Sequence, residues 1–227
     1  MALEVEYAPE RHPGRIVFLV ILILLVAAVG WFAYRWYWNG DSLPIPLPIA
    51  SADSSVDESD VTATQVAQYT VPDSNPRFIT IPSLNVGDTR IYPVDLDGNN
   101  LLKYATDIHD AGWYKKSGTP GNGGVILIDA YNQGSNTTGA FAKLGTLQKD
   151  DKITLQRGDG KIFTYKVVEN QSMSLDQVNA TGMTTMGKAV TPGLEGLNLM
   201  TFDGKWVPRL GTFDKRIMLR AVIDLTK

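Results

Sequence analysis

Thiol chemistry is excluded at the outset, because the 227 residues contain no cysteine. There is no thiolate nucleophile, no disulfide and no cysteine-ligated metal. Of the two histidines, only His109 lies outside the N-terminal tail, in DIHDAGWY. A lone histidine of this kind reads as a turn or surface residue before it reads as a relocated base. DLDGNN, residues 95–100, opens like a calcium loop, but Asn100 stands where the loop needs glycine and Thr106 where it needs a bidentate glutamate. GNGG at 121–124 lacks the Lys-Ser/Thr of a phosphate loop and leads into an apolar run. Arg157-Gly158-Asp159 spells an adhesion tripeptide, yet it sits where a hairpin turn accounts for it. The sequons at Asn136, Asn170 and Asn179 matter only in a glycosylating host. No motif implies a metal or a cofactor. What remains is LNLMTFDGKW, residues 197–206, a strand-like apolar run that stops at Phe202 and turns polar.

The elements around it divide the chain. Residues 16–34, IVFLVILILLVAAVGWFAY, carry no charge and are bracketed by Arg15 and Arg35. At about 1.5 Å per residue they cross most of a hydrocarbon core. The run ends in WFAYRWYW, an interfacial aromatic belt rather than a cleavage site. We read residues 16–38 as a transmembrane signal-anchor and 1–15 as a cytoplasmic tail. Arg11 and Arg15 precede the helix, and after Arg35 the next basic residue is Arg77. The positive-inside rule then places the C-terminal domain outside, in a single-pass plasma-membrane topology. Residues 39–76 are rich in Pro, Ser and Asp, without lysine or arginine, and read as an extended extracytoplasmic spacer, with SLPIPLPI a short polyproline stretch.

From Arg77 the texture becomes β. FITIPSL, TRIYPVDL, GVILIDAY, KITLQRGDGKIFTYKVV, LNLMTF and RIMLRAVIDL alternate or run apolar over four to eight residues, with turn signals between them. LLKYATDIHDAGWY and GAFAKLGTL read as short helices or helical turns. The sum is a mostly antiparallel β-barrel with a few helical crossings. The net charge of -3 and the lack of a basic cluster exclude nucleic acid as a partner.

The order PRFITIPSLNV, DIHDAGWYKKSGTPGNGGVILIDAY, TGAFAKLGTLQKDDKITLQRGDGKIFTYKVV, GLNLMTFDGKW, TFDKRIMLRAV resembles the sortase family, in its class F and class E branches, over residues 77–227. The resemblance implies an eight-stranded β-barrel tethered to the membrane. It also implies a cysteine transpeptidase that cleaves a sorting-signal peptide through a thioester and passes the acyl group to an amine. In the family the strand LNL[IV]TC ends on the nucleophile; here Phe202 stands there. The Gly-His pair that supplies the acid and base aligns with Ala130 and Tyr131. The oxyanion arginine aligns with Arg216 and is retained.

These substitutions bear on the reaction. A benzyl group has no lone pair to attack a carbonyl, and a phenol with a pKa around 10 is badly matched to proton shuttling at neutral pH. Thr201 precedes Phe202, but strand alternation turns it to the opposite face. Asp129 and Asp203 flank the substituted positions, and the same alternation turns at least one of them away. The expectation is a catalytically inactive sortase-like domain, with Arg216 lying across an aromatic ring. Its role would be to bind a sorting-signal-like peptide or an envelope protein, or to regulate a true sortase. The alternative is transpeptidation or hydrolysis through non-standard residues.

Overall fold

The alternation along the C-terminal runs forms a closed barrel in the computed structural model, which describes residues 13–43, 56–98, 102–135 and 137–226. The strands are β1 (Pro76–Ile81), β2 (Val86–Val94), β3 (Ala111–Tyr114), β4 (Val125–Ala130), β5 (Lys152–Arg157), β6 (Ile162–Ser174), β7 (Gly196–Val207) and β8 (Thr212–Ile223). They close in the order β1-β2-β3-β4-β7-β8-β6-β5, and β5 returns to β1. Every second residue points inward. Ile79, Ile81, Ile126, Ile128, Ile153, Leu155, Leu197, Leu199 and Leu219 are fully enclosed, each contributing about 1.5–3 kcal/mol of apolar burial.

Two pairings are parallel, β2 with β3 and β4 with β7. A parallel pair needs a long crossover rather than a hairpin, and these crossovers build the site. Residues 95–110 join β2 to β3. The excursion from β6 to β7 carries a helical segment made of Leu175–Gln177, a π turn Val178–Gly182, and Met183–Met186. On the outer face of β4, β7 and β8, Leu127, Met200 and Met218 form a second apolar cluster with Val178 and Met186 of that segment.

Two expectations are corrected and one holds. AGWY, read within a helical stretch, is β3, whose Trp113 and Ala111 enter the barrel core; four residues are too few to show a period. GAFAKLGTL, read as a short helix or helical turn, is a helical turn, the 3-10 turn Leu144–Thr146. Residues 56–76, read as part of a spacer, carry order. Asp57 pairs with the 95–110 crossover, through Asp57 N to Thr106 O (2.8 Å) and Ile108 N to Asp57 O (2.9 Å). The helix α2 (Ala63–Gln68) starts at a Thr62/Gln65 capping box. Tyr69 follows, packing on Tyr92 and Phe78 and donating its hydroxyl to Ile91 O. The rest of the spacer, 44–55, lies outside the described residues, as do residues 1–12, Asn99, Asn100 and Asn136.

The long helix α1 (Pro13–Asn39) is apolar on all sides, and its large apolar side chains from Ile16 to Trp38 are exposed, except the half-buried Trp36. Its 27 residues span about 40 Å, long enough to cross a membrane.

The motifs set aside above have structural explanations. Gly121, Gly123 and Gly124 have positive φ, and the amides of Gly121 and Gly123 cradle the buried Glu195 carboxylate at 3.1 and 2.7 Å. Arg157 grips Asp159 at 3.0 and 2.7 Å across the β5–β6 turn.

Candidate functional site

Strand ends and crossovers converge on one cavity of about 800 Å³. Tyr131 follows directly on β4, Met200 and Phe202 stand on β7, and Arg216 stands on β8. The helical segment supplies one apolar wall, with Leu175, Val178 and Met183. The 95–110 crossover brings in Tyr104, which sequence reasoning did not single out.

Tyr104 organises the floor. Its ring stacks on Phe202 with centroids 4.8 Å apart and planes 24° apart. It also packs on Tyr131 at 5.0 Å, while Tyr131 and Phe202 are 6.1 Å apart. Phe213 extends the group at 5.5 Å from Phe202, and Trp206 meets Phe213 edge-on at 5.6 Å. The Arg216 guanidinium lies over Phe202, 4.5 Å from the centroid, with the Tyr104 side chain close by. Its Nη1 donates to Phe213 O (2.9 Å) and Lys215 O (2.8 Å), and its Nη2 to Thr212 Oγ1 (2.9 Å). Burial lowers the guanidinium pKa, with Tyr104 and Asp214 opposing that. Burial pushes the Tyr104 phenol well above its ordinary range.

Tyr131, Phe202 and Arg216 are thus brought together, and the remaining candidates are dispersed. Ala130 faces the barrel interior. Thr201 is buried and donates its hydroxyl to Ala130 O at 2.7 Å, stapling β7 to β4. Asp203 accepts a hydrogen bond from the Ser172 hydroxyl. Asp129 is 0 % exposed, and neither of its oxygens has a hydrogen-bond partner among the described residues. Its room comes from Gly112, its neighbour on β3, where a Cβ would lie 2.6 Å from Asp129 Oδ1. Burial raises the Asp129 pKa far above the carboxylate range, so the group is held as a neutral acid. The two carboxylates do not pair. His109 lines a different cavity of about 340 Å³, beside the buried ion pair of Arg90 with Asp110 (2.7 Å).

The lining therefore offers aromatic and aliphatic surface, a guanidinium tied to its own turn, the threonine hydroxyls of Thr106 and Thr212, and the charges of Asp97 and Lys103 at the edge. Such a surface suits recognition of an apolar chain.

A model of the sortase domain matches residues 79–222, well over half of the chain. The chain belongs to the sortase family. Among solved structures, sortase A from Corynebacterium diphtheriae is 18% identical, with a TM-score of 0.51 over 89% of this chain and 83% of that one. Sortase C-1 from Actinomyces oris is 19% identical, with a TM-score of 0.50 over 86% and 94%. At such identities the likeness speaks for the sortase fold alone. No curated protein matches the chain.

Proposed function

We propose that this chain is a membrane-anchored sortase-family domain that holds a sorting-signal-like peptide in the cavity beside Phe202 without cysteine transpeptidation. In this reading Phe202 occupies the nucleophile's position, Tyr131 that of the acid-base histidine, and Arg216 is the retained family arginine. The helix α1 anchors the chain in the plasma membrane with the N-terminus cytoplasmic and the barrel outside, and the occupant is a peptide or a protein of the envelope.

The observation that carries the reading is the Arg216 guanidinium over the Phe202 ring, with Tyr104 on Phe202 as well. Aromatic bulk fills the place where a thiolate would have to attack. Losing the nucleophile of a catalytic unit costs about a million-fold in rate, which residual oxyanion stabilisation does not recover. The same rings, beside an apolar wall, favour binding.

Mass spectrometry of sorting-signal peptides incubated with the full-length chain and an amine acceptor tests the inactivity. The expected result is intact peptide and unmodified protein. A cleaved or amine-linked product, absent without the chain, would refute it.

A further inference from the structure

The chain has six methionines, and the five after Met1 gather in one place. Met186, Met200 and Met218 make up most of the second apolar cluster, with Met173 packed against it. Met183 is 41% exposed and lines the cavity together with Met200. The barrel's inner core contains none. Branched and aromatic side chains therefore fill the rigid interior, and thioethers fill the layer under the helical segment 175–186.

That segment is pinned at its ends and cushioned between them. At its start the Ser174 hydroxyl accepts from Gln177 N, and the Gln177 side chain accepts from Ser174 N. At its end Asn198 Nδ2 donates to Met186 O (2.7 Å) and Lys188 O (3.2 Å). Between these anchors the hydrogen-bond pattern changes from α to π and back, an arrangement frequent where function needs an irregular helix. At Gly182 the backbone sits directly on the bed, since a Cβ there would meet Met218 Cε at 3.2 Å and Met173 Sδ at 3.4 Å. Methionine is unbranched, has three rotatable bonds and refills gaps of changing shape, which is why it recurs at surfaces that accept varied partners.

We propose that the methionine bed makes residues 175–186 a movable wall, so that the cavity admits apolar side chains of different size by shifting the wall instead of selecting one shape. This rests on the groove reading above and adds to it a tolerance for the ligand's apolar residue. Met200 and Met218, anchored on β7 and β8, are the residues that set the tolerance.

The test uses the full chain in lipid nanodiscs with ¹³C-methyl methionine. Relaxation dispersion reads microsecond-to-millisecond exchange, and the probes are N-acetyl amino-acid methylamides of Ala, Val, Leu, Phe and Trp. A rigid apolar pocket separates ligands by roughly 10–200-fold per methylene. We expect a shared exchange process at Met173, Met186, Met200 and Met218, probe-dependent shifts at Met183 and Met200, and affinities for Val, Leu and Phe within about tenfold of one another. The double variant Met200→Leu/Met218→Leu should quench the exchange and widen that spread beyond tenfold, with unchanged isoleucine methyl spectra reporting an intact barrel. Static methyls in the unaltered chain overturn the proposal, as do unshifted Met183 and Met200 or an equal spread in both proteins. If the capped amino acids behave as expected while sorting-signal peptides do not bind, the movable wall stands and the peptide reading falls.

Discussion

Arg216 spends its guanidinium on its own neighbourhood, 4.5 Å over the Phe202 ring and in hydrogen bonds to the Phe213 and Lys215 carbonyls and the Thr212 hydroxyl. It acts here as a brace between β8 and the aromatic floor. Arg216→Ala should lower unfolding stability by about 2–4 kcal/mol, from the cation–π contact and the charged hydrogen bonds. Arg216→Lys should recover less than half of that, because an ammonium cannot reproduce a planar fork. Denaturant titration reads both; an Arg216→Ala variant as stable as the parent would remove the bracing role.

Asp129 gives stability a pH dependence of known sign. The buried acid has a raised folded pKa, so above the unfolded value of about 3.9 the unfolded chain releases a proton that the folded chain keeps. Stability then falls as pH rises, by up to about 1.4 kcal/mol per unit, until the folded group ionises. Asp129→Asn keeps the shape without the proton. It should match the parent near pH 3 and exceed it at pH 7, in unfolding free energies measured across that range. Equal stability at pH 7 would contradict the neutral buried acid.

Tyr104 joins the crossover to the site. Tyr104→Phe preserves the stack on Phe202 and Tyr131 and removes only the hydroxyl near Arg216, so its cost should not exceed about 1.5 kcal/mol. Tyr104→Ala removes the floor and should cost about 3–5 kcal/mol, with a loss of aromatic near-ultraviolet dichroism. If the two variants behave alike, the stacking carries little.

Much of the barrel was legible because its inward positions obey a two-residue period. Ile153 and Leu155, or Leu197 and Leu199, declare their face without any knowledge of their partners. β3 was not legible: AGWY is short and pairs in parallel with β2 across a sixteen-residue crossover, 95–110. The same crossover hid Tyr104, because only the closed barrel sets it on Phe202, almost one hundred residues later in the chain. The order in 56–76 had one readable signal, the Thr62/Gln65 capping box, which acidic composition outweighed. Tyr131, Phe202 and Arg216 could be named as expectations because the runs around them, GVILIDAY, LNLMTF and FDKRIMLRAV, resemble those of the family. Which groups would actually touch them depends on two crossovers that leave no periodic trace.

A separate prediction concerns the buried ion pair under α2. Arg90 holds Asp110 through Nε and Nη2, both at 2.7 Å, and reaches Asp107 at 3.2 Å. Arg90→Ala leaves two acids without their partner and should cost about 3–5 kcal/mol, read as a fall in midpoint on thermal unfolding. A surface-like loss below about 1 kcal/mol would mean that solvent reaches the pair.

The central claim is that the aromatic floor belongs to a working binding groove. Its most direct test is isothermal calorimetry of the full chain with a panel of sorting-signal peptides, alongside the double variant Tyr131→His/Phe202→Cys. The account predicts saturable binding of at least one peptide by the unaltered chain. No binding by the unaltered chain, with binding or cleavage only in the double variant, would mean that the rings block the groove and would contradict the account.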